Sequence, residues 1–197
     1  MAQLEAEIAQ IAARFGEPRR MDVAIRPFFD PVQNPDRFAE VCMVVRRRSG
    51  KVPLCIKTFY PRAAYRLPTG GIHRGERILD ALRRETTEET GLDTRIERFL
   101  AWITYRGVSD PDGPPLFHTF AFLLAEVGGT FKTSDEDEQI ESWIEIEPSA
   151  LNQVAERLAK IATGHSDDIG GDWADWGHFR AIVHRVVSDA LGVKTKG

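Results

Sequence analysis

The sequence predicts an α/β protein: a mixed β-sheet between helical layers, with one helix at the N-terminus and two at the C-terminus. Three observations lead there. The hydrophobic patterns run helix, several strands, helix, several strands, two helices. The 197 residues suffice for one well-formed domain and are marginal for two, so 1–197 reads as a single domain. Apolar residues make up 42% and charged residues 28%, the balance of a chain that buries a sizeable core.

Taken in order, Leu4, Ile8, Ile11, Ala12 and Phe15 recur at helical spacing, so residues 2–15 predict an amphipathic helix ended by Gly16 and Pro18. MDVAIRPFF is a short strand, and DPVQNPD a loop by its Asp, Pro and Asn. Residues 38–46, FAEVCMVVR, are almost continuously apolar and suit a strand buried on both faces. Ser49-Gly50 marks a turn, and 52–59 reads as the hairpin partner of that strand. A turn with Pro68, Gly70 and Gly71 follows, then a charged helix over 77–90. Residues 95–105, 116–127 and 140–147 predict strands, separated by the loops 108–115 and 128–139. Pro148 sits where a helix begins, and Leu151, Val154, Ala155, Leu158, Ile161 and Ala162 form its stripe. Residues 163–172 read as a flexible connection. Trp173, Trp176, Ile182, Val183, Val186, Val187 and Leu191 line the last helix. Residues 1–20 and 165–197 are therefore expected to be helical extensions of the domain.

Several function classes drop out early. The formal charge of −4 offers no global basic field for nucleic acid. No apolar run approaches the roughly 20 residues that span a bilayer, and MAQLEAEIAQ lacks the basic start and apolar stretch of a secretory signal. Cys42 and Cys55 both lie in apolar segments, which reads as two buried thiols in a reducing cytoplasm.

The segment 67–92, LPTGGIHRGERILDALRRETTEETGL, carries the chemistry. On a helix, Glu85, Glu88 and Glu89 project within an arc of roughly 100°. Three crowded carboxylates cannot all stay ionised in a partly buried site, and a divalent cation removes the conflict. Hard oxygen donors without cysteine suit Mg²⁺, or Mn²⁺, rather than zinc. The bland alternative is a solvated face salt-bridged by Arg83 and Arg84. The preceding glycines shift the balance, because Gly70 and Gly71 let backbone approach a ligand, and a glycine turn before a helix favours phosphate.

This segment resembles the Nudix box, Gly-x5-Glu-x7-Arg-Glu-U-x-Glu-Glu-x-Gly-U, in which U is bulky aliphatic. Gly70, Glu76, Arg84, Glu85, Glu88, Glu89, Gly91 and Leu92 all match in spacing. The one departure is Thr86 at an aliphatic position. The resemblance implies a Nudix-type α/β/α sandwich and Mg²⁺-dependent hydrolysis of a diphosphate linkage in a nucleoside diphosphate derivative. It implies Glu85, Glu89 and Glu88 as metal ligands, joined by the Gly70 carbonyl, with Arg84 orienting the carboxylates and Glu76 mainly structural. The base that takes the proton from water would be Glu85 or a loop carboxylate, with Glu138 and then Glu136 in the run 134–138 as candidates. Gly71, His73 and Arg74 are candidates for substrate phosphate. A catalytically silent nucleotide-sensing module is the alternative, and the intact carboxylates speak against it. The expected partner is a small nucleotide-derived molecule, and the two added helices could build a homodimer interface.

Other residues read as structural. His118 is expected to be a satisfied core histidine, Arg46–Arg48 a solvated cluster, and Trp173, Trp176 and Phe179 anchors of the last helix. Tyr65 or Phe59 is a candidate for stacking on a base.

Overall fold

The computed structural model describes residues 2–132 and 139–192. In chain order the elements are α1 (Ala2–Phe15), β1 (Arg19–Ile25), β2 (Arg37–Arg46), β3 (Val52–Lys57), β4 (Thr69–His73), α2 (Ile78–Thr90), β5 (Leu92–Gly107), β6 (Phe117–Gly129) and β7 (Ile140–Ile146). A 3₁₀ turn at Pro148–Ala150 leads into α3 (Leu151–Leu158), then β8 (His165–Ser166), β9 (Gly171–Asp172) and α4 (Trp173–Ala190).

The main sheet has the order β1-β5-β6-β2-β4. It is mixed: β1 runs parallel to β5 and β2 parallel to β6, while β5–β6 and β2–β4 are antiparallel. Alternation along β2 divides the core. Val41, Met43 and Val45 join Ile8 and Ile11 of α1 and Ile78, Ala81 and Leu82 of α2 in one cluster. Cys42 and Val44 face the other, with Leu54 of β3, Leu151 and Leu158 of α3, and Trp176, Phe179 and Val183 of α4. That two-sided burial is why β2 reads as an unbroken apolar run, and it makes an α/β/α sandwich.

Local chemistry accounts for the helix ends. Gly16 (φ +88°) follows α1, its N–H bonded to the Ala12 carbonyl. Gly91 ends α2 in the left-handed region (φ 63°), its N–H on the Thr87 carbonyl. Asp172 caps α4 by accepting from the Ala174 N–H at 2.8 Å.

The structure corrects four expectations. First, β3 does not pair with β2. A turn joins them through Arg47 N–H to the Lys51 carbonyl, but both edges of β2 are taken by β6 and β4. β3 instead pairs with β7 in a separate two-stranded sheet, Pro53 opposite Glu145. Second, Gly70 and Gly71 belong to a strand, not a turn, opposite Val41 and Glu40 of β2. Third, the 163–172 connection holds the small β8–β9 pair, with Asp172 also accepting from Thr163 Oγ1 and Gly164 N–H. Fourth, Arg46–Arg48 are not merely solvated. Arg47 spans the two sheets, donating to Glu126 of β6 and Glu145 of β7 at 2.8 Å each, and Arg46 pairs with Glu97 of β5.

Among the described residues no helix is long and apolar enough to cross a membrane. Cys42 and Cys55 are buried thiols outside any disulfide. Burial, reinforced by nearby Glu40, pushes the Cys42 thiol up and keeps it protonated.

Candidate functional site

The box helix presents its acids unequally. Glu85 and Glu89 are 6% and 1% exposed, on the buried face of α2, whereas the Glu88 side chain is half-buried at the rim. Arg84 ties the group together. Its Nε and Nη2 each donate to Glu76 at 2.9 Å, its Nη1 to Glu85 at 2.8 Å and Glu88 at 3.1 Å, and its Nη2 also to the Gly71 carbonyl at 2.9 Å. Glu76 accepts in addition from the His73 N–H at 3.0 Å. The hydrogen bonds from Arg84, assisted by that from His73, hold the Glu76 carboxyl below the usual range. The same bonds raise the Arg84 pKa, so this guanidinium is a fixed cation. Glu76 thus works as a strut between β4 and Arg84.

Gly70 explains itself by proximity. A Cβ built there would lie 2.0 Å from the Glu85 carboxyl carbon, so only glycine leaves this carboxylate its position. At Gly71 a Cβ would meet the Arg37 Nε at 2.6 Å. The sequence reading assigned both glycines to ligand approach; the structure shows them making room for side chains.

Gly70, Gly71 and Glu85 form one wall of a cavity of about 90 Å³. Facing them are Arg37, Arg66, Arg180 and the aromatic rings of Tyr60 and Trp176. Tyr60 packs edge-on against Trp176, ring centres 4.7 Å apart. α4 builds this wall with residues four apart. Arg180 donates through Nη1 to both oxygens of Glu40, at 2.9 and 2.8 Å, and to Thr69 Oγ1 at 3.2 Å. One turn on, the buried His184 accepts the Leu67 N–H at Nε2 (2.9 Å) and donates from Nδ1 to the Arg180 carbonyl (2.7 Å). That arrangement requires the neutral ring, and burial pushes its pKa down to about 4.

None of Glu40, Arg66, Arg180 and His184 figures among the sequence-predicted site residues. A signal existed. Glu40 interrupts the apolar run of β2, and Arg180 and His184 follow Trp176 at helical spacing within an otherwise apolar stripe. A charge in a core position calls for a partner.

His73 and Arg74 do not line the cavity; Arg74 donates instead to the Pro35 carbonyl at 2.7 and 3.2 Å. The run 134–138, with Glu136 and Glu138, lies outside the described residues. Phe59 lines the cavity, while the Tyr65 hydroxyl bonds Ser142 at 2.8 Å. His118 is a satisfied core histidine: Trp102 Nε1 donates to its Nδ1 at 3.2 Å, and burial lowers its pKa to about 4. Thr86 is buried with its hydroxyl on the Leu82 carbonyl.

Among the described residues no three acidic, histidine or cysteine side chains converge into a ready-made metal cluster. Arg84 Nη1, bonded to both Glu85 and Glu88, bridges two of the three box carboxylates. The residues nonetheless fit a hard divalent ion. Two buried carboxylates and one at the rim, with a Cβ-free space at Gly70 and a cavity beside them, leave coordination sites for water and phosphate.

Comparison with known proteins adds a family match. A family model described as the NUDIX domain matches residues 36–163, well over half of the chain. The human 8-oxo-dGDP phosphatase NUDT18 is 39% identical over 75 residues, 38% of this chain and 21% of that protein. An ADP-ribose pyrophosphatase of Methanocaldococcus jannaschii is 34% identical over 83 residues, 41% of this chain and 46% of the relative. The matches thus span under half the length of either relative. Among solved structures, a C. elegans Ap4A hydrolase binary complex aligns with TM-score 0.47 at 20% identity, covering 79% of this chain and 98% of that one.

Proposed function

The chain belongs to the NUDIX family, and on that premise we propose that it hydrolyses a diphosphate linkage in a nucleoside diphosphate derivative, using Mg²⁺ or Mn²⁺. The observation that carries this reading is the placement of Glu85 and Glu89. Two carboxylates are buried on one helix face beside a polar cavity, at a cost that a bound cation offsets. The relatives named as a phosphatase and a pyrophosphatase point to the same reaction class.

In this reading Glu85 and Glu89 hold the metal, with Glu88 at the rim and the Gly70 carbonyl as further donors. A bound divalent ion supplies charge neutralisation at the diphosphate and acidifies water. The chain's own residues do the rest. Arg84 keeps the Glu85 and Glu88 carboxylates from drifting apart, and Glu76 keeps Arg84 in place. Gly70 leaves room for the Glu85 carboxylate at the cavity, and Gly71 leaves room for the Arg37 side chain. Glu85, or an acid in 134–138, takes the proton from the attacking water. A cytoplasmic location belongs to this reading too, supported by two buried thiols outside any disulfide.

The test is a panel of nucleoside diphosphate derivatives incubated with the protein, with Mg²⁺ or with EDTA. At least one should release a phosphorylated product only with metal. Glu89→Gln should lower that rate by about 10²-fold or more while leaving the thermal transition in place. Binding without turnover across the panel, or full activity in E89Q, removes the proposal.

A further inference from the structure

We infer that β1 is a dimerisation edge: a second copy of this chain adds its own β1 antiparallel, about a two-fold axis at Met21, so that Arg20 of each copy lies opposite Asp22 of the other. β1 is an end strand of the main sheet and, among the described residues, pairs only with β5, in an unbroken parallel register from Arg19 to Ile25. The Ile25 carbonyl accepts from the Val108 N–H at 3.0 Å, so it points toward β5. Backbone direction alternates along a strand. Met21 and Val23 therefore also face β5, while the N–H and C=O groups of Arg20, Asp22 and Ala24 face outward. Neither proline nor bulge blunts this edge. The other edge of the sheet is closed, because on β4 the Gly71 carbonyl accepts from Arg84 and the His73 N–H donates to Glu76.

Water satisfies an exposed edge, so open backbone groups alone select no partner. The charges do. In an antiparallel pair the outward residues of one copy face those of the other. An axis at Asp22 would set that carboxylate against itself, and one at Arg20 would do the same with the guanidinium. An axis at Val23 sets Arg20 against Arg26. The axis at Met21 alone brings opposite charges face to face within the strand, and two-fold symmetry does so twice. Arg20 is held ready, its guanidinium carbon 4.7 Å over the Trp102 ring. On the other face the half-buried Met21 meets its own copy, at the close, non-hydrogen-bonded position of the ladder. The edge also continues into apolar surface. Phe28, Val108 and Leu116 are three of the four exposed large apolar side chains among the described residues. Val108 bonds Ile25, and Leu116 bonds Tyr105, the partner of Val23 in β5. One strand pair is small for a stable interface, and this patch enlarges it.

The inference is independent of the hydrolase reading, and its test needs no substrate. Sedimentation velocity of the full chain over a concentration series should show a reversible monomer–dimer equilibrium. Arg20→Asp or Asp22→Arg sets like charges opposite each other twice, and each should weaken dimerisation about tenfold or more. The double variant Arg20→Asp/Asp22→Arg restores both pairs and should return to within about threefold of wild type. Amide exchange reads the register: the Arg20 and Asp22 N–H groups should slow as dimer forms, whereas those of Met21 and Val23 are already bonded to β5. Asp22 also pairs with Arg106 at 3.2 Å, so thermal unfolding checks that each variant is folded. Should the charge reversals fail to fold, Asp22→Asn decides, since it weakens a dimer centred on Met21 and strengthens one centred on Asp22. A monomer at every concentration, a dimer indifferent to either reversal, a double variant as weak as the singles, or a stronger dimer in Asp22→Asn each overturns the inference.

Discussion

Two regions meet at the cavity, and they are held by different kinds of contact. The box side is local: Arg84 reaches Glu85, Glu88, Glu76 and Gly71, all within thirteen positions along the chain. The α4 side is distant: Arg180 bonds Glu40 across 140 positions, and His184 bonds Leu67 across 117. The box side gathers two buried carboxylates and one at the rim on a single helix, while the α4 side buries a carboxylate–guanidinium pair and a neutral histidine. Acids crowded on one helix raise the energy of the folded chain, whereas an acid paired with a guanidinium across the core lowers the cost of burying both. Damage should therefore show as lost turnover on one side and lost stability on the other.

The sharpest way to break that contrast is the Glu40–Arg180 pair. Both side chains are buried, so Arg180→Met strands a carboxylate and should destabilise the fold by about 3–5 kcal/mol. The double variant Glu40→Gln/Arg180→Met keeps an acceptor for Thr119 Oγ1 and should recover most of that loss. Urea unfolding of wild type, single and double variants measures it; a double variant no better than the single would mean the pair is not the unit.

Acid provides a gentler probe, through His184 on the α4 side and His118 beside Trp102 on the opposite face of the sheet. His184 and His118 have folded pKa values near 4, below the unfolded 6.5. Between those values the unfolded chain binds more protons, so stability is complete above about pH 6.5 and falls as pH drops toward 4. Each ring contributes up to about 3 kcal/mol over that window. Urea midpoints from pH 4 to 7 should show the slope, and His184→Gln should flatten it. An unchanged slope in that variant would place the acid sensitivity elsewhere.

The smallest effect is expected at the one departure from the box pattern. Thr86 is buried, and its hydroxyl bonds the Leu82 carbonyl at 2.6 Å, which is a redundant acceptor in a helix. Thr86→Val should shift stability by less than about 1 kcal/mol and leave the hydrolytic rate alone. A large change in either quantity would give Thr86 a role in positioning the acids beside it.

The box was legible because a helix repeats every few residues, so spacing alone places Glu85, Glu88 and Glu89 together and Gly91 at the end. Most element types were legible for the same reason, down to the two-faced burial of β2, but β4 and the short β8–β9 pair were not. What the sequence did not decide was pairing: β3 and β2 share a turn, yet the edges of β2 were already taken. Nor did it reveal why Gly70 is glycine, since the Glu85 carboxyl lies against it only after β4 docks beside α2. Glu40 and Arg180 stand 140 positions apart, Leu67 and His184 117, and these pairs exist only once the sandwich closes. Short-range periodicity is written in the order of residues, whereas long-range charge matching depends on which surfaces come to face each other, and that only the folded chain determines.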